Sequence, residues 1–253
     1  MIPTAPLERF FLALFLLSTP VACIAVFVHG GDRQWWALAN SYGFSAGMIG
    51  LYLAPLCLRT SSSFRARLEA ATMHWLVWLS CFTELAFQIP HNLFVRQLHE
   101  RRGTLVEWPF YAYGLSDARW SRYQGGRGLA PEVWLINWND AGLGALVAAL
   151  LCYHRARRTR RARAGLVVLA LFRDATLWRE TVEYMRDHHR AGYPHTVSSG
   201  GDPALRAHAI ACLWGVNVVW LVAPVTTALW AYYELVAPSP AAVDGAVAAK
   251  KSH

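Results

Sequence analysis

The chain has 253 residues, of which 55% are hydrophobic and only 16% charged, with a mean hydropathy of +0.24. A soluble domain carries about 25% charged residues, so the composition argues against an ordinary soluble domain, and the low charge together with 13% of aromatics excludes disorder, collagen and coiled coil. The net charge of +8 rests on 22 arginines and two terminal lysines. The arginines cluster between apolar blocks, which is membrane-protein usage rather than a nucleic-acid surface.

A bilayer span needs about 20 mostly apolar residues. Six segments meet that requirement in chain order: 9–29, 38–58, 70–95, 133–154, 164–185 and 207–235. The apolar run after Arg9 is longer than a secretory h-region and lacks a good cleavage site, so it reads as a span. The 59–69 loop carries Arg59, Arg65 and Arg67, the 154–163 loop six arginines, and the tail Lys250 and Lys251. This positive-inside pattern places both termini in the cytoplasm. The opposing 96–132 loop interleaves its arginines with Glu100, Glu107, Asp117 and Glu132. It is expected to fold over the mouth of the bundle, with Trp108, Tyr111 and Trp120 at headgroup depth. The tail from about 237 is Pro- and Ala-rich and reads as disordered. The five cysteines all lie in apolar blocks without metal-ligand spacing and read as small buried hydrophobes. The expected fold class is all-α, a polytopic transmembrane helix bundle of about six spans.

Ionisable groups at membrane depth face a bundle interior by default. In the third segment Ser80, Glu84 and Gln88 follow at i, i+4 and i+8, on one helical face. No basic residue lies within two turns of Glu84 on its own helix. An unpaired carboxyl there would be protonated much of the time and suited to general acid/base work. The fourth segment opens with Asn137, Asn139 and Asp140, and the sixth holds Asn217 with Trp220 on the same face. The fifth holds Arg173, Asp174, Arg179, Glu180 and Glu183. Arg173, Asp174, Arg179 and Glu180 read first as ion pairs between helices, and His74, His91 and His99 as structural or interfacial. No phosphate loop and no cofactor motif is visible, so no cofactor is expected.

Several stretches then resemble one family. Trp108-Pro109-Phe110-Tyr111-Ala112 followed by Ser116-Asp117-Ala118-Arg119 is similar to a Trp-x-x-Tyr-Ala…Asp-Ser-Arg segment. Leu177 to Tyr193, with His188-His189-Arg190-Ala191-Gly192-Tyr193 at its end, resembles an acidic helix closing in a His-Arg-x-Gly-aromatic turn. Asn217-Val218-Val219-Trp220-Leu221-Val222-Ala223-Pro224 resembles Asn-x-x-Trp-Leu-Val-x-Pro. These are the marks of the EXPERA-domain membrane proteins, in particular the sterol isomerases of the emopamil-binding type. The resemblance covers roughly 42–235. It implies an extra N-terminal transmembrane helix (1–37), a five-helix EXPERA-like domain (38–236) and a tail (237–253). In those isomerases a His precedes a Glu by one turn. Here the Glu falls on Glu84 and the His on Ser80, or, shifted one turn, on Gln88 and Glu84, so the pair is broken either way. Cys81 to Pro90 also looks like the sigma-two receptor branch, whose members bind sterols and amphipathic amines.

The resemblance implies Glu84, Asp140 and Asn217 as catalytic residues facing a common cavity. Trp220, Tyr111, Trp108, Ser80, Gln88 and Glu180 would contact the substrate. The leading expectation is a cofactor-independent isomerase that moves a double bond by protonation and deprotonation in a sterol or related polycyclic isoprenoid. The alternative is a non-catalytic sterol- or lipid-binding protein of the sigma-two type. A purely structural subunit is the third reading, and it requires every intramembrane charge to be paired away. Expected partners are the apolar substrate and membrane lipid, with no nucleic acid and a homodimer left open. The location is a multi-pass integral membrane protein, in the endoplasmic reticulum if eukaryotic and the inner membrane if bacterial.

Overall fold

The computed structural model describes residues 5–59, 62–101, 103–120, 133–134, 136–138, 144, 147, 149–150, 160–194, 196 and 202–236. Helix α1 (Pro6–Phe27) starts on Pro6 at its first turn, where the missing N–H costs nothing. Helix α2 (Arg33–Leu58) is capped by Asp32, which accepts the Trp35 amide at 2.9 Å. Helix α3 (Phe64–Met73), capped by Ser63, runs on without a break. It passes through two π-helical stretches, His74–Ser80 and Glu84–Gln88, parted by the α turn Cys81–Thr83. It then continues as α4 (Ile89–Glu100), which kinks at Phe94. A short α5 (Trp108–Gly114) and a 3₁₀ turn (Ala118–Trp120) follow in the connecting segment.

Two long helices complete the described elements. Helix α6 (Arg160–Arg190) ends in a Schellman turn: Tyr193 N–H reaches His188 C=O at 2.8 Å and Gly192 N–H reaches His189 C=O at 3.1 Å. Gly192 has φ +70°, a conformation a Cβ would oppose, which accounts for glycine in the His-Arg-x-Gly-aromatic stretch. Helix α7 (Pro203–Leu235) is capped by Asp202, which accepts the Ala204 amide at 2.8 Å.

Among the described residues the architecture is helical throughout. Three helices among the described residues, α1, α2 and α7, are long and apolar enough to cross a membrane. The third expected segment is divided by its π-helical stretches into pieces too short to count as one such helix, the fifth carries Arg173, Asp174, Arg179 and Glu180, and the fourth lies largely outside the described residues. Helix α1 packs along α2 and exposes Phe10, Leu17, Val21 and Ile24 on its other side, as a lipid-facing helix does.

One apolar core joins α1, α2, the α3 region, α6 and α7, with Phe15, Met48, Leu79, Val167 and Trp220 among its members. Phe15 brings α1 into the same core as the rest of the bundle. The start of α1 is held by Glu8, fully buried, whose carboxylate takes Arg59 Nε and Nη2 at 2.7 Å each. This two-pronged geometry is the strong form of a charged hydrogen bond. A second cluster, built on Val26, Leu38, Trp108, Leu115 and Cys212, fastens α5 to the ends of α1, α2 and α7.

Candidate functional site

A cavity of about 340 Å³ lies inside the bundle. Phe15, Thr19 and Pro20 of α1 and Asn40, Ser41 and Phe44 of α2 form one side. Phe82, Thr83, Phe87 and Gln88 of the π-helical region form another. Tyr113 and Trp120 close it from the connecting segment, with Thr181 and Tyr184 of α6 and Asn217 and Trp220 of α7 opposite. The walls are aromatic and aliphatic with a few polar groups, the usual make-up of a small-molecule site.

The π-helical turns decide which side chains reach this space. Their i→i+5 bonds, such as Ile89 N–H to Glu84 C=O, widen the turn and shift the phase of every later residue. Ser80, Glu84 and Gln88 are all buried, but only Gln88 lines the cavity. Glu84 turns toward α6 instead. Arg173 donates to Glu84 Oε1 and, at 2.8 Å, to Asp174 Oδ1, and Ser80 Oγ lies 2.5 Å from both Glu84 Oε1 and Arg173 Nη2. Trp75 Nε1 donates to Asp174 Oδ2 at 3.0 Å. The expectation of an unpaired Glu84 is therefore corrected. Its cation comes from α6, 89 residues away in the chain, where same-helix spacing could not reveal it. Arg173 and Asp174 pair as expected, whereas Arg179 and Glu183 form an exposed i, i+4 pair. Gly144 packs directly on the Glu84 carboxylate, so close that a Cβ there would overlap it.

The other expected residues divide. Asn217 and Trp220 line the cavity; Asn217 Nδ2 donates to Leu213 C=O at 2.8 Å, and Trp220 meets Trp75 edge-on at 5.2 Å. Trp108 and Tyr111 do not line it. They pack on the ends of α1 and α2, where the Arg33 guanidinium sits 4.6 Å over the Tyr111 ring and donates to Glu107 at 3.1 Å. Glu180 is half-buried on α6 and off the cavity wall. Asp140 and Asn139 lie outside the described residues, as do Cys152 and the tail. Of the three residues of the connecting segment expected at the cavity mouth, Trp120 lines the cavity, joined by Pro109 and Tyr113, and residues 121–132 lie outside the described residues.

Behind Tyr113 and Tyr184 stands a buried polar cluster of Asp117, Arg119 and His188, which belong to the stretches that carry the resemblance but were not among the expected site residues. Tyr184 Oη donates to Asp117 Oδ2 at 2.6 Å, Arg119 Nη2 donates to the same oxygen at 2.7 Å, and His188 Nε2 lies 3.3 Å from it. Two signals were available: Asp117 and Arg119 two apart, and Tyr184 and His188 one turn apart on α6. Burial pushes the Asp117 carboxyl up, but hydrogen bonds with His188, Arg119 and Tyr184 and the charge of Arg119 outweigh it. The carboxyl is held well below its ordinary value of 3.8.

A folded carboxyl held low contributes stability that is present above its unfolded pKa and lost as pH falls through the folded one. Asp117→Asn should lower the detergent-solubilised protein's Tm at pH 7, and the gap from wild type should narrow as pH drops below about 4. Parallel thermal unfolding of the two proteins across that range checks this. A gap independent of pH would show that the ionised form adds nothing.

His91 stacks between Phe110 and Trp120 and bonds the Trp120 carbonyl at 2.6 Å through Nε2, a structural placement. No family model matches the chain, and no curated protein or solved structure matches it. The functional reading rests on the residues themselves.

Proposed function

We propose that this chain is an integral membrane protein of six spans that takes a rigid, mostly apolar lipid of the sterol or polycyclic isoprenoid class into its central cavity. The observation that carries the reading is the cavity itself, lined mainly by aromatic and aliphatic side chains with polar groups such as Asn40, Ser41, Gln88 and Asn217 set among them. For the six spans, α6 has 31 residues, about 46 Å of helix against a hydrocarbon core of about 30 Å, and its deep Arg173 is matched by Glu84 and by its own neighbour Asp174. The positive-inside arrangement puts both termini in the cytoplasm.

Two activities fit that cavity. Double-bond isomerisation adds a proton at one alkene carbon and removes one from another, passing through a carbocation. The π faces of Trp220, Phe87, Trp120 and Tyr113 suit that cation, with about 2 kcal/mol or more per favourable desolvated contact. Glu84 and Asp140 are the carboxyls proposed for the acid/base roles. Non-catalytic binding is favoured by a different observation: Glu84 is held by Arg173 and does not line the cavity.

Incubating the purified protein with candidate sterol and terpenoid alkenes in deuterated water separates them. The isomerase reading expects a shifted double bond carrying deuterium. Saturable binding of the same lipids with no deuterium uptake would establish the binder instead, and absence of both would remove the lipid reading.

A further inference from the structure

The cavity has a mouth, and it faces the bilayer. Among the described residues that line it, three are exposed: Pro20 on α1, with Phe82 and Ala86 on the α turn and π-helical stretch opposite. The deeper walls, with Asn40, Gln88, Thr181, Asn217 and Trp220, are buried. Side chains that border the cavity and the exterior at once mark where the two meet. The three fall on a single seam, between α1 and residues 82–86.

The seam is built to part there. Helix α1 is fixed on its other flank: it lies so close to α2 that a Cβ on Gly47 would come within 2.5 Å of the Phe15 backbone nitrogen, and the Glu8–Arg59 pair ties down its start. Toward the π-helical region it presents Phe15, edge-on to Phe82 at 5.3 Å. Beyond that pair, Leu16, Thr19 and Pro20 line one jamb and Thr83 and Ala86 the other. Thr83 Oγ is turned back to Leu79 C=O at 2.6 Å, which leaves its jamb apolar. Both jambs depart from regular helix. Pro20 has no N–H and takes one bond out of α1. Residues 82–86 run from the α turn between the two π-helical stretches into the second, where turns are wider.

Height decides what can pass. Residues 16–20 lie in the middle of α1, a 22-residue helix apolar enough to cross a membrane. The mouth therefore opens at the depth of the hydrocarbon core, where lipids are dissolved and water-soluble molecules are not. We infer that the ligand enters and leaves sideways from the bilayer interior, between α1 and the π-helical segment, with Phe82 and Ala86 setting the width of the passage. This makes α1, which lies outside the stretch that carries the resemblance, a functional part of the site. The inference rests on the lipid-cavity reading and adds the route by which the lipid arrives.

The test mixes the full-length protein in detergent micelles, which surround the same apolar belt as the bilayer, with micelles carrying a conjugated-polyene steroid alcohol. Association is followed by energy transfer from the protein's tryptophans, two of which, Trp120 and Trp220, line the cavity. Release is followed by a chase with excess saturated steroid alcohol. Ala86→Trp fills the mouth from its exposed side and should slow association and release together by about 10-fold or more, as binding that waits on an opening does. Phe82→Ala removes a ring from the mouth and should speed both. Affinity should change far less than either rate, because one passage serves both directions. Wild-type rates in either variant would overturn the lateral route and leave the lipid cavity standing. A change in affinity carried by one rate alone would do the same, since it would place the side chain in the bound site rather than in the passage. Should Ala86→Trp lose its thermal unfolding transition, Phe82→Ala decides by the same outcomes. A wild type that takes up no steroid would overturn the cavity reading and the route with it.

Discussion

Arg173→Met is expected to destabilise the bundle by about 3–5 kcal/mol, the largest single loss anticipated for this chain. Arg173 is buried, and it answers two buried carboxylates from different helices, Glu84 and Asp174. Methionine keeps the apolar stem and removes the charge, so two acids remain at a depth where solvent cannot stabilise them. The measurement is the unfolding midpoint of the detergent-solubilised protein. Adding Glu84→Gln and Asp174→Asn to the same chain should restore much of the loss, because a buried ion cluster exchanged for neutral groups costs far less than one left half-complete. A midpoint for Arg173→Met equal to wild type would mean that the cluster contributes nothing to the fold.

The second large effect is on activity, and it concerns Glu84→Gln. Glutamine keeps the size and hydrogen bonding of glutamate but cannot transfer a proton. If Glu84 exchanges a proton with the lipid, isomer turnover should fall by about 100-fold or more while lipid affinity changes little. If Glu84 serves only Arg173, turnover and affinity should both stay near wild type and the unfolding midpoint should drop. The geometry makes the contrast sharp, since Glu84 lies behind the cavity wall with Ser80 and Arg173 at its oxygen Oε1 and Gly144 against it. A loss of stability with turnover intact would take Glu84 out of the chemistry and leave Asp140 as the proposed carboxyl. A loss of turnover larger than the loss of stability explains would keep it in.

The amino-acid sequence by itself determined the helical character of the chain. Apolar runs of about 20 residues with arginines between them are local features that need no partner to be read, whereas the helices start several residues before those runs, at caps such as Asp32, Ser63 and Asp202. It also placed Asn217 and Trp220 on one face of α7, and both line the cavity.

Only the tertiary structure decided how the charges are matched. A carboxylate seeks the nearest cation in space, and for Glu84 that cation stands on α6, beyond any helical period. The π-helical turns had the same kind of effect. They separate Gln88 from Ser80 and Glu84, which an unbroken 3.6-residue period would have kept on one face. Tyr113, Asp117 and Tyr184 meet because the connecting segment folds back onto α6, bringing Asp117 and Tyr184 together across 67 residues of chain. Spacing along a chain determines which side chains share a helix face. Which faces meet is settled by packing, and here the packing brought Tyr113 of the connecting segment and Tyr184 near the end of α6 to the same cavity as Asn217.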